Sequence, residues 1–165
     1  MNAVSIISHF NMQPHPEGGW YVETYRSAGT IPATALPSGW GVHNWSTGIL
    51  FLLESGDCSH FHRIRQDEMW HFYLGGPMRL AMLHPDGKYE EIIMGQDILA
   101  GQSVQFTVPA GVWFAAAPCE NTDYTFVGCT VAPGFEFSDF EMAKKQDLLR
   151  QFPHQEQAIQ TFSLD

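Results

Sequence analysis

Positive charge is scarce in this sequence: eight Lys and Arg residues stand against eighteen Asp and Glu, a formal net charge of -10. So acidic a surface repels phosphate backbones, which argues against a nucleic-acid partner, although net charge alone selects no substrate. Cysteine is scarce too. Cys58, Cys119 and Cys129 are an odd number with no CxxC spacing, which excludes a disulfide scaffold and a zinc knuckle and suits a reducing compartment. No stretch approaches the roughly 18 apolar residues of a membrane-crossing helix. The start, MNAVSIISHF, lacks the basic segment of a secretion signal. The expectation is a cytoplasmic protein with no membrane partner.

What is abundant is apolar and aromatic. Apolar residues make up 44% of the 165 and aromatics 13%, with only 16% charged, the composition of a compact globular chain rather than a disordered one. The length suits a single domain over residues 1–165. Residues 3–10 read as a short helix running into the turn formers of QPHPEGG. WYVETYRS then alternates as a strand does, and AGTIPATALPSGWG reads as a loop or flap. From Trp45 to about Val131 short apolar segments alternate with turns, HPDGK being the clearest hairpin. Many short strands at this spacing mean a sandwich or barrel. The barrel core is expected over about 20–134. A helical tail is expected over about 138–160, with Phe140, Ala143, Leu148, Leu149 and Phe152 on one face and a stop near Pro153.

Chemistry concentrates in GDCSHFHRIRQDEMWHFYLGG, residues 56–76. With two-residue alternation His60, His62 and Ile64 share one strand face. On the next strand Glu68, Trp70 and Phe72 share a face, and Asp67, Met69, His71 and Tyr73 take the other. Gly56, His62, Glu68 and Gly75, followed by Gly101, Pro109 and Gly111, resemble the two conserved-pattern segments of the cupin superfamily. HPEGGWYVETYRS, FHRIRQDEMWHFYLG, VPAGVWF and GCTVAPGFEFSDFE resemble, more narrowly, a small single-domain cupin family of unknown function. The resemblance implies an all-β fold, a double-stranded β-helix related to the jelly roll, with short helical ends.

The same resemblance places His62 at the first usual metal-ligand position, Ile64 at the second and Phe114 at the last. Two of four positions are then apolar, so no metal and no other cofactor are expected. An alternative register keeps a metal site of His60, His62 and Glu68, or of His60, His62, Asp67 and His71, which would suit Zn, Ni, Mn or Fe. The metal-free reading is a pocket for a small polar, sugar-like molecule. In it His62 is a base, since imidazole titrates near neutrality, and Glu68 its carboxylate partner. That chemistry is what cupin-type deoxysugar epimerases carry out, and it implies an isomerase-like activity. A non-catalytic ligand-binding or sensor domain would want the same pocket. Substrate contacts are expected from His60, His71, Trp70, Phe72, Phe106, Trp113 and Glu17. Plainer roles stand beside these: His60 and His71 as hydrogen-bonded strand residues, most tryptophans as core, Glu23 and Arg26 as an ion pair, Cys129 as a buried thiol. Finally, WYVETYRS could extend a neighbour's sheet, so a homodimer is expected.

Overall fold

The computed structural model describes residues 1–164. Helix α1 (Ala3–Phe10) starts at a reciprocal cap: the Asn2 side chain accepts the Ser5 N–H, and the Ser5 hydroxyl accepts the Asn2 N–H. It ends where Asn11 turns left-handed. The strands follow: β1 (Gln13–Pro14), β2 (Trp20–Arg26), β3 (Thr30–Ile31), β4 (His43–Asn44) and β5 (Thr47–Glu54). Next come β6 (Ser59–Arg63), β7 (Glu68–Gly75), β8 (Met78–Leu83), β9 (Tyr89–Met94) and β10 (Gln105–Val108). The chain closes with β11 (Trp113–Pro118), β12 (Tyr124–Val131), β13 (Glu141–Met142), α2 (Lys145–Gln151) and α3 (Glu156–Phe162).

Two antiparallel sheets face each other, ordered β1-β2-β5-β12-β7-β10 and β13-β6-β11-β8-β9, with β3 and β4 as a separate ribbon. Alternation puts one face of each sheet inward. Phe51, Leu53, Trp70 and Phe72 from the first sheet meet Met78, Leu80, Met82 and Phe114 from the second, all buried. The opposite face of the second sheet is apolar as well, carrying Phe61, Leu83, Trp113 and Ala115. Leu148, Phe152, Ile159 and Phe162 of the terminal helices cover it. Helix α1 covers part of the first sheet's outer face at Leu52 and Phe126. The fold is the expected double-stranded β-helix with short terminal helices.

Two segments differ from expectation. The tail is not one helix from 138. Residues 137–142 form a 3-10 turn and β13, which pairs with β6, and helix begins only at Lys145. Phe140 and Ala143 therefore precede the helix, while the stop before Pro153 holds, because proline disfavours helical backbone in the residue ahead of it. The expected flap contains β3, pinned to β4 at Thr30–Asn44 and Ile31–His43. Among the described residues no helix is long and apolar enough to cross a membrane.

Candidate functional site

The site starts from an irregularity in β6. Against β11, Phe114 pairs with His62 but Ala116 pairs with Ser59, so two residues of β6 oppose one of β11. This bulge breaks the two-residue alternation. Ser59 and His62, three apart, reach the same carboxyl group, while Phe61 packs under the terminal helices. That carboxyl belongs to Glu17, delivered by the His15–Gly19 loop. The loop lies so close to β6 that a Cβ on Gly18 would sit 2.1 Å from the Cys58 carbonyl oxygen, and its φ of +111° is one L side chains rarely adopt.

Glu17 accepts the Ser59 hydroxyl through Oε1 at 2.9 Å. Its Oε2 stands 3.2 Å from His62 Nε2 and 3.3 Å from His15 Nδ1. The imidazole tautomer follows from its other side. His62 Nδ1 lies 2.7 Å from the His60 carbonyl, which can only accept, so Nδ1 carries a proton. On a neutral His62 ring Nε2 is then a lone pair, and the proton between it and Glu17 sits on the carboxyl. Burial favours this uncharged form on both partners. It lowers His62 to about 3 and pushes Glu17 well above the usual carboxylate range, Glu68's charge adding to the rise. Burial likewise lowers His15 to about 4. Glu68, at the start of β7, is raised to about 7 by burial; the Cys129 thiol is its hydrogen-bond partner.

These groups open on one cavity of about 160 Å³ between the sheets. Tyr21, Phe51, Phe135, Phe137 and Phe140 supply aromatic walls. Arg26, Glu23 and Glu136 also line it. Arg26 donates through Nε and Nη2 to the two Glu23 oxygens, through Nη1 to Glu136 and Asn44, and through Nη2 to the Phe135 carbonyl. The expected Glu23–Arg26 pair is thus present.

Of the expected site residues, His62, Glu68 and Glu17 come together here. The others do not line the cavity. Trp70 and Phe72 share Glu68's inward face but are packed into the core, Trp70 edge-on to Phe51 and Phe114. Phe106 packs against the same core. Trp113 lies on the far face of its sheet, with the Arg63 guanidinium 4.2 Å above its ring. His60 Nδ1 donates to the Glu17 carbonyl, so this histidine holds the loop. His71 points outward, bonded to Thr130 and Gln105.

A metal at the usual cupin ligand positions does not fit the residues present. Ile64 lines the cavity where a second ligand would stand, and the Phe114 ring lies 4.1 Å from the His62 ring at the last position. Both alternative sets also fail, since His60 Nδ1 is bonded to the Glu17 carbonyl outside the cavity lining, Asp67 accepts the Ala110 N–H and His71 is on the outer face. Among the described residues no group of three or more His, Cys, Asp or Glu is arranged to hold a metal ion.

The residues that sequence reasoning passed over are His15, Tyr21 and the Phe135–Phe140 wall. Their signal was present in the HPEGGWYVETYRS and GCTVAPGFEFSDFE landmarks, where Tyr21 and Glu23, or Phe135 and Phe137, are spaced to share a face.

Comparison with known proteins agrees with this architecture. Residues 4–143 match the family described as Cupin superfamily (DUF985). A hypothetical protein from Leishmania major superposes with a TM-score of 0.93 at 29% identity, covering 100% of both chains. Protein SO0799 from Shewanella oneidensis gives 0.89 at 36% identity, covering 99% of this chain and 98% of that one. The uncharacterized protein YML079W of Saccharomyces cerevisiae is 29% identical over 94% of this chain and 82% of its own. None of these names carries an activity.

Proposed function

This chain belongs to the cupin superfamily, within its DUF985 family, and we propose that its cavity binds a small polar molecule and moves a proton on it, as an isomerase or epimerase does. The observation that carries the reading is the meeting of Glu68 with the Glu17–His62 pair in one aromatic-walled cavity. General acid–base catalysis wants a group that titrates near the working pH. Glu68, at about 7, has that property; His62, at about 3, does not. The base is therefore Glu68 rather than His62. The Glu17 carboxyl, its proton shared with His62 Nε2, is the donor. In the step, Glu68 takes the proton from a carbon beside a carbonyl, and the C–H electron pair passes into an enolate. Glu17 returns a proton to that carbon or its oxygen, with His62 holding the carboxyl in place.

The test needs no prior substrate. Monosaccharides and small keto compounds are incubated with the protein in D2O, and loss of C–H signal is followed by proton NMR. Glu68→Gln and His62→Asn should each slow exchange by about 100-fold or more, with an unchanged circular dichroism spectrum. Binding without exchange would leave a non-catalytic ligand-binding domain.

A homodimer is part of the same proposal, on a specific surface. Strand β2, expected to extend a neighbour's sheet, pairs with β5 and β1 in its own chain. What it leaves open is the outer face of its sheet. Tyr25, Gly48, Thr130 and Met69 lie in register across β2, β5, β12 and β7, with His71 and Gln105 beside them. None of the six is Asp, Glu, Lys or Arg, in a chain of net charge -10. Depletion of charge is what the core of a self-complementary two-fold contact typically shows. The three free cysteines suit the proposed cytoplasmic location, which fractionation of the source cells would check.

A further inference from the structure

The lining of the cavity is rich in acceptors and holds its cation out of reach. Four carboxyl groups face it, from Glu17, Glu23, Glu68 and Glu136, against a single Arg or Lys among the described lining residues, Arg26. A guanidinium has five N–H donors, and all five of Arg26's are committed: two to Glu23, one each to Glu136, Asn44 and the Phe135 carbonyl. Arg26 has no donor left for a ligand anion. Glu68 is in the opposite condition. It is 8% exposed, lines the cavity, and its hydrogen-bond partner is the weakly donating Cys129 thiol. A buried carboxylate is costly without a cation or strong donors around it. The walls have a matching bias. Around the uncharged His15 ring stand Tyr21, Phe51, Phe137 and Phe140, with ring centroids 4.5, 6.1, 5.9 and 5.8 Å away. Aromatic faces attract cations and give anions nothing.

From these observations we infer that the ligand is a small organic cation, a protonated amine on a compact apolar or planar body, whose ammonium group pairs with Glu68 inside the aromatic walls. The inference rests on the reading of this cavity as a small-molecule site and narrows its ligand class. A phosphorylated or nucleotide-linked sugar is the wrong charge for it. An amino sugar or other amine with a carbonyl-adjacent carbon would satisfy both the charge and the proposed proton transfer.

Three probes of one shape separate the possibilities: cyclohexylammonium, cyclohexanol and cyclohexanecarboxylate, titrated calorimetrically into the full chain at pH 8 and constant ionic strength. The ammonium should bind at least ten-fold tighter than the alcohol, and the carboxylate should not bind. Glu68→Gln should remove that preference, bringing the ammonium and alcohol affinities within two-fold of each other. Phe137→Leu, at a half-exposed wall position, should weaken the ammonium more than the alcohol. Equal binding of alcohol and ammonium overturns the cation and keeps the cavity; a preference that survives Glu68→Gln overturns the pairing with Glu68. Absence of binding by all three overturns both readings.

Discussion

Glu68 holds its proton to about pH 7 because burial penalises the carboxylate, whereas a carboxyl in the unfolded chain releases it near 4.5. Between those values the native state binds the extra proton, so stability falls as pH rises through this window and levels off above it. The loss amounts to about 3 kcal/mol for this one side chain, and Glu17, also raised by burial, adds to the decline. His62 and His15 act with the opposite sign. Both are lowered by burial, so they cost stability as pH falls below 6.5, where the unfolded imidazoles take up protons. The four slopes oppose one another from 4.5 to 6.5 and only the carboxyls remain above. Glu68→Gln, which cannot ionise, should therefore be more stable than the native protein at pH 8 and gain nothing at pH 4. Urea denaturation across pH 4 to 9 measures this, and a difference independent of pH would contradict it.

At the scale of elements, the cavity wall is fastened from behind. His43 of β4 and Asp139 of the turn before β13 are both buried, with Nε2 2.6 Å from Oδ2. His43 Nδ1 faces the Gly41 carbonyl at 2.9 Å. Both acceptors need a hydrogen, so the ring is doubly protonated. Burial opposes that charge, but the Asp139 and Gly41 hydrogen bonds and the Asp139 and Glu136 charges outweigh it and raise the pKa. Gln66 also donates to Asp139, and Arg65 lies 3.7 Å from its other oxygen. This contact ties the 28–44 segment to the chain that carries Phe135, Phe137 and Phe140. Asp139→Asn would strand a buried cation and should cost about 3 kcal/mol. Because the His43 pKa is raised, the pair's contribution is complete below pH 6.5 and declines as pH rises through the raised value. The deficit of the variant, read from denaturation curves, should shrink accordingly at high pH. A variant as stable as the native protein at pH 6 would show that the contact fastens nothing.

For the whole molecule, charge decides how copies can meet. Two chains of net charge -10 repel except where a face is free of charge. The outer face of the first sheet is such a place, with Tyr25, Met69 and Tyr73 exposed on it. Sedimentation should give about twice the single-chain mass of 18.6 kDa. Added salt should tighten the dimer by screening the remaining repulsion. Tyr25→Glu, placing like charges against each other across the two-fold axis, should leave a monomer with an unchanged circular dichroism spectrum. A native protein sedimenting near 18.6 kDa would end the proposal.

Alternation and turn chemistry are local properties, so the strand series, the α1 helix and the HPDGK hairpin could be read from residues alone. The same holds for the inward pairing of Glu68 with Trp70 and Phe72. His62 was legible as a site residue through its spacing from Gly56 and Glu68. His60 was not legible as a loop anchor, because the bulge that ends its equivalence with His62 depends on how β6 meets β11, 50 residues away. Glu17's partners were hidden for a related reason: they follow from Gly18 lying on Cys58, a contact between segments that no local pattern encodes. Phe140 shows the clearest contest. Its spacing from Ala143 fits a helix, yet β13 pairing with β6 keeps the segment extended and turns the ring toward His62, 5.4 Å between centroids. Propensities of single residues are worth fractions of a kcal/mol, whereas even half-burying a phenylalanine is worth about 1. Where the two compete, packing between distant segments wins, and it is that packing which assembled the cavity.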